Sequence, residues 1–358
     1  MYKMVHQIKA DYPFYILIFI YMLSAVLVAS YVDDLKWFVP FVYVPEWLNA
    51  MITIGSVLTI VGALAALKHP RPFHAFRGQL SLFMQERLAG LVLFTAIAPF
   101  YGTFTSMKMM MPEIAPFTAD PLLSKFSTYL HFGRPAWEYL RFLNPYTQTI
   151  RFFYEYPWFL IMTGGTLCMC VARPGHLRSQ YLWTFFLCWI MLGNIVALSF
   201  MSVGPVFYEA LLQDNRYAEL TSHLASLVTP ENLSSQVPQM LWTAHVTKTP
   251  GFGHGISVFP SLHVSMATLF MLTAFKLRLW LGWCMTAYLF LIFTGSVHLG
   301  WHYAIDGYVS FLATSAMWLT VGAALRTAPK AFTPFAIASL WPGKTRWSTA
   351  PRGRPSQI

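Results

Sequence analysis

Ser296-Val297-His298-Leu299-Gly300-Trp301-His302-Tyr303-Ala304-Ile305-Asp306-Gly307 is a polar island between two apolar runs, Leu279 to Val297 and Tyr303 to Leu325. Each run is close to the ~20 residues a helix needs to cross a bilayer core, so the island reads as the junction of two membrane spans. Ionisable groups at such a boundary are costly enough to make function the first hypothesis for them.

Six more runs of similar length lie upstream, near Pro13 to Val32, Leu48 to Leu67, Leu88 to Met107, Phe152 to Ala172, Tyr181 to Met201 and Val258 to Phe275. Backbone polar groups in hydrocarbon must be paired within the chain, which makes these segments helices. The expected fold is therefore all-α, a polytopic membrane bundle of about eight transmembrane helices. Composition agrees: 56% hydrophobic against 11% charged residues and a mean hydropathy of +0.50 exclude a water-soluble surface. The first run is longer than a signal-peptide core and lacks a small-residue cleavage site, so it is expected to remain as a helix.

The net charge of +10 would raise nucleic acid as a partner in a soluble chain. Here the basic residues fall mainly between apolar runs, so no nucleic acid is expected. The side holding both termini carries about 16 Lys/Arg and 2 Asp/Glu against about 8 and 12 on the other. Positive-inside then places both termini in the cytoplasm and the polar island on the outer face of the cell (inner) membrane. Cys168, Cys170, Cys188 and Cys284 all sit in apolar runs and suggest neither a disulfide framework nor a zinc site.

Two outer connectors are long. Within 118–150, Leu122, Leu123, Phe126, Tyr129, Leu130, Trp137, Leu140 and Leu143 recur at helical spacing among polar residues, the pattern of an amphipathic interfacial helix or of a lid packed on the bundle. The second, Ser202 to Ser257, opens with Gly204-Pro205 and carries Arg216, His245, Lys248 and His254.

Alternation of direction brings Phe259-Pro260-Ser261-Leu262-His263, at the start of span six, to the same face as the polar island. His302 and Asp306 are four apart and would stack on one helix face, where a carboxylate fixes the imidazole tautomer and leaves the other nitrogen as nucleophile. His263 follows a Pro-Ser helix start whose unpaired amides attract anions, so it could protonate the leaving oxygen of a bound phosphoester. Ser261, Ser296, His298, Lys248, His254 and Gly204 are candidate phosphate contacts. A rival reading uses His298, His302, Asp306 and His263 as metal ligands. A second rival makes the same groups a proton relay in a transporter.

The two motifs resemble those of the type 2 phosphatidic acid phosphatase superfamily, and the chain is similar to bacterial members of its inositolphosphotransferase-like branch. Gly204-Pro205 and the stretch from Asp120 through Trp137 to Trp158 add to the likeness. The resemblance implies a six-helix core over 88–325, two additional helices in 1–87, and 326–358 as a basic cytoplasmic tail. It implies His302 as the nucleophile forming a phosphohistidine, Asp306 orienting it, and His263 assisting the leaving group, with no metal and no cofactor. The implied partners are a membrane lipid with a phosphate-linked head group and a lipid or alcohol acceptor, or water.

The family's first motif, a Lys followed after six residues by Arg-Pro, is not found. Two of the chain's Arg-Pro pairs, Arg71-Pro72 and Arg173-Pro174, fall on the expected cytoplasmic face, and Gly295-Ser296 stand where the third motif begins Ser-Arg. Lys248, Arg216 or helix-start amides are the expected replacements for the missing cation. Its loss favours head-group transfer over lipid phosphate hydrolysis.

Overall fold

The computed structural model describes residues 2–229 and 233–327. They form an all-α bundle with no strand among them. Twelve helices run in order: α1 Tyr2–Tyr31, α2 Val44–Ala66, α3 Pro72–Ile114, α4 Asp120–Leu130, α5 Thr147–Val171, α6 His176–Ser199, α7 Tyr208–Leu212, α8 Ala218–Ser226, α9 Leu233–Val246, α10 Leu262–Leu277, α11 Leu279–His298 and α12 Ala304–Thr327. Residues 328–358, most of the expected cytoplasmic tail, lie outside the described residues.

Six of these, α1 (from Gln7), α2, α3, α6, α11 and α12, are long and apolar enough to cross a membrane. The two other expected spans take different forms. Helix α10 has only 16 residues, because Ser257 to Pro260 before it is non-helical. It is buried almost continuously from Val264 to Met271, so Ser265 and Thr268 face protein rather than lipid. Helix α5 is long enough, but its first turns carry Arg151 and Glu155. A helix enclosed by protein, as α10 is, needs no uniformly apolar surface.

Helix α3 is the longest, 43 residues or roughly 65 Å at the helical rise, about twice a bilayer core. Its second half forms the centre of the bundle. Phe100 and Tyr101 meet Phe185, Phe186 and Trp189 of α6, with Tyr101 and Phe104 both edge-on to Trp189. In lipid, where apolar surface alone does not drive helices together, close backbone approach and interhelical hydrogen bonds do more. Gly90 lies against the Cys170 carbonyl, where a Cβ would stand 2.3 Å from the oxygen. Trp47 Nε1 donates to the Phe94 carbonyl at 3.0 Å and ties α2 to α3.

Helix α1 is fastened to the core by a buried ion pair. Arg178 donates through Nη1 and Nη2 to the two Asp11 oxygens at 2.5 and 2.9 Å. Its Nε and Nη2 also donate to the Met169 and Cys170 carbonyls at the C-terminal end of α5. Removing one partner of such a pair strands a buried charge, so Arg178→Met is expected to cost about 3–5 kcal/mol. Thermal unfolding in detergent should show the loss, with part of it regained in the Asp11→Leu/Arg178→Met double variant.

The segment 118–150 is amphipathic in both of its parts, α4 and the 3₁₀ stretch Ala136–Tyr146. Asp120, Leu123, Ser124, Ser127 and Trp137 are buried, whereas Leu122, Phe126, Tyr129, Phe132 and Phe142 are exposed. One side packs on the bundle while the other presents an apolar face.

Candidate active site

The end of the bundle where α3 and α6 finish and α10 and α12 begin encloses a cavity of about 380 Å³. Its polar lining includes Lys108, Glu155, His263 and His302. Phe104, Phe207, Leu241, Ile256 and Trp301 supply apolar wall.

His263 is set by the start of α10. Ser261 is the N-cap, its Oγ accepting from Val264 N at 3.4 Å, as expected of a serine before the first turn. That places His263 second in the helix, beside α5. Its imidazole stacks on Tyr154 at 4.5 Å and Trp158 at 4.1 Å between ring centroids.

His302 is set by the start of α12. The chain leaves α11, turns at Gly300 (φ +70°), and returns so that His302 N donates to the Ser296 carbonyl at 3.1 Å. Asp306 is the third residue of α12, and its Oδ2 accepts from Tyr303 N at 3.0 Å, half of a capping box. The same oxygen lies 3.2 Å from His302 Nδ1. An Nδ1–H donated there leaves Nε2 with the lone pair. The two side chains meet as their spacing predicts, but His302 lies just before the helix and the carboxylate reaches back to it. Burial, reinforced by coupling to His263 and by the positive charge of Lys108, pushes the His302 imidazole well below its ordinary value. The ring therefore favours its neutral form.

A second buried carboxylate braces this turn. Asp120 accepts from Val203 N and Gly204 N at 2.9 Å each and from Tyr303 Oη at 2.8 Å. Burial raises its pKa, and these three hydrogen bonds oppose the rise. Gly204 (φ +84°) seats the third motif: a Cβ there would come within 2.7 Å of the Trp301 carbonyl.

The remaining sequence candidates lie outside the cavity lining. Ser261 uses its hydroxyl on the helix cap, and Ser296 Oγ donates to the Phe293 carbonyl at 2.7 Å. His298 Nε2 meets Thr147 Oγ1 at 2.8 Å, and that hydroxyl also meets His223 at 3.0 Å. Lys248 is exposed and pairs with Glu113 at 2.9 Å, while Arg216 Nη1 donates to Ser124 Oγ at 3.2 Å. His254 Nδ1 meets the Thr249 carbonyl at 2.8 Å beside a separate, open groove along α9. The stripe of His298, His302 and Asp306 is not formed, because His298 ends one helix and His302 precedes the next. Among the described residues, no group of three or more His, Cys, Asp or Glu is placed to hold a metal.

Lys108 is the residue that sequence reading passed over. It directly follows the apolar run Leu88 to Met107, and α3 runs on to Ile114 and carries Lys108 into the cavity wall. Its charge acts on both histidines, and it makes no ion pair among the described residues. The available signal was position: it is the first charge after the third apolar run, on the side of the bundle where both motifs lie.

In comparison with known families, residues 121–320, more than half of the chain, match the family model described as PAP2 superfamily. Both histidine motifs fall inside the match and Lys108 outside it. Neither the curated proteins nor the solved structures searched contain a match to the chain.

Proposed function

This chain belongs to the PAP2 superfamily, and on that premise we propose that it is a lipid phosphotransferase that moves a phosphate-linked head group through a phosphohistidine on His302. The observation that carries the reading is one cavity lined by His302, His263 and Lys108, with Asp306 on the far side of the His302 ring.

In the first half-reaction, His302 Nε2 attacks phosphorus while Asp306 holds Nδ1–H and stabilises the charge that forms on the ring. His263 gives its proton to the departing oxygen. Lys108 faces the phosphoryl oxygens, in the role left open by the missing motif cation. In the second half, His263 takes the proton of an acceptor alcohol, whose oxygen displaces His302 from phosphorus. None of these steps calls on a metal. The lean towards transfer, as in the inositolphosphotransferase-like branch, rests on the departures from the phosphatase motifs and on the apolar walls that enclose the polar groups. The active site is assigned to the outer face of the membrane from the Lys/Arg distribution.

The deciding experiment incubates purified protein with a panel of phospholipids in excess chelator and measures head-group exchange beside phosphate release. Exchange onto a lipid or alcohol acceptor, exceeding release, is the expected result. Phosphate release from monoesters alone would make the protein a lipid phosphatase using the same site. Activity abolished by the chelator and restored by a divalent metal would contradict the mechanism.

A further inference from the structure

Two aromatic residues hold His263, and no motif of the sequence accounts for both. Tyr154 and Trp158 are four apart on α5, so their rings stand on one helix face. Both are buried, at 2% and 8% exposure. The Tyr154 ring lies 4.5 Å from the imidazole centroid with the planes 14° apart, and the Trp158 ring 4.1 Å away at 32°. The Trp158 indole N–H also donates to the His263 carbonyl at 3.2 Å, fixing ring and backbone together.

This geometry bears on charge as well as position. An imidazole enclosed by protein favours its neutral form, which has no proton to give a leaving group. An aromatic face attracts a cation within about 6 Å, most strongly where water is excluded. The charged groups around His263 are Lys108 from α3, Glu155 from α5, and His302 with Asp306 behind it. Lys108 opposes protonation of His263.

We propose that Tyr154 and Trp158 are positioning residues that cradle His263 and stabilise its imidazolium, so that it protonates the leaving oxygen. The proposal rests on the phosphotransfer reading above. In the step concerned, the His302 Nε2 lone pair forms the P–N bond as the P–O bond breaks. The electron pair of that bond goes to the leaving oxygen, which takes the proton from His263.

The test compares two donors, a short-chain phospholipid with an alkyl leaving group and its p-nitrophenyl analogue, whose leaving group needs no proton. Trp158→Leu is expected to lose about 10–100-fold on the alkyl donor and less than about threefold on the p-nitrophenyl donor. The alkaline limb of its kcat–pH profile should move down by about 0.5–1.5 units. Trp158→Phe, which keeps a ring face, should regain most of both. Tyr154→Leu serves as a second variant should Trp158→Leu fail to fold, with the same selectivity expected.

Equal losses on the two donors, or an unmoved alkaline limb, would overturn the cradle. His263→Ala separates that failure from failure of the underlying reading. If His263→Ala itself shows no dependence on the leaving group, the acid role of His263 falls; if it does and Trp158→Leu does not, only the cradle falls.

Discussion

Replacing His302 by alanine is expected to lower kcat on the order of 10⁴–10⁶-fold, because removing a covalent nucleophile closes the two-step route rather than weakening it. The variant should fold. The His302 backbone N–H to Ser296, the Tyr303 N–H to Asp306 and the Tyr303–Asp120 hydrogen bond do not depend on the imidazole. Single-turnover assays on protein of unchanged melting temperature would check it, and turnover within tenfold of wild type would exclude His302 as nucleophile. The wild-type pH profile carries a sign. Burial lowers the His302 pKa, so the ring stays neutral as pH falls through the ordinary value of ~6.5, and the acid limb due to this group lies below it.

Lys108→Met is expected to cost about 10²–10³-fold in kcat/KM, the typical effect of removing one preorganised charge from a developing oxyanion. A half-buried lysine lining a half-open cavity without an ion pair among the described residues is less favourable until an anion arrives, which suits a phosphate site. Lys108→Arg should recover little, since a planar fork does not occupy the place of a compact ammonium. Steady-state kinetics on the lipid donor check both variants. A loss below about threefold for Lys108→Met would show that another group meets the phosphate.

The contact of His302 with Asp306 and the place of His263 at a helix start were legible because their determinants are local. His302 and Asp306 are four residues apart at the edge of an apolar run, and the Pro260-Ser261 start places His263 in the first turn of a helix. Lys108 was not legible, because its role depends on how far α3 continues. A charge after twenty apolar residues reads as the end of a span, but here protein rather than lipid surrounds that part of the helix, which runs two further turns.

The same physics explains the candidates that lie outside the cavity lining. Ser261, Ser296 and His298 lie near His263 and His302 in sequence, yet each has another partner: a helix cap, a helix carbonyl and Thr147. Lys248 and His254 are likewise engaged with Glu113 and Thr249. Of the fold, the all-α bundle was legible from apolar run lengths alone. That α10 would be a short helix at the centre was not, since a buried helix and a membrane span look alike in hydropathy and differ only in what surrounds them.

The most direct test is to quench wild-type protein during turnover of a donor labelled in its phosphate and to map the labelled peptide. A base-stable, acid-labile phosphoryl group on His302, absent from His302→Ala and accumulating in His263→Ala when acceptor is withheld from a p-nitrophenyl donor, is the expected result. Turnover with no label on the protein, or label on His263 with His302 unmodified, would contradict it.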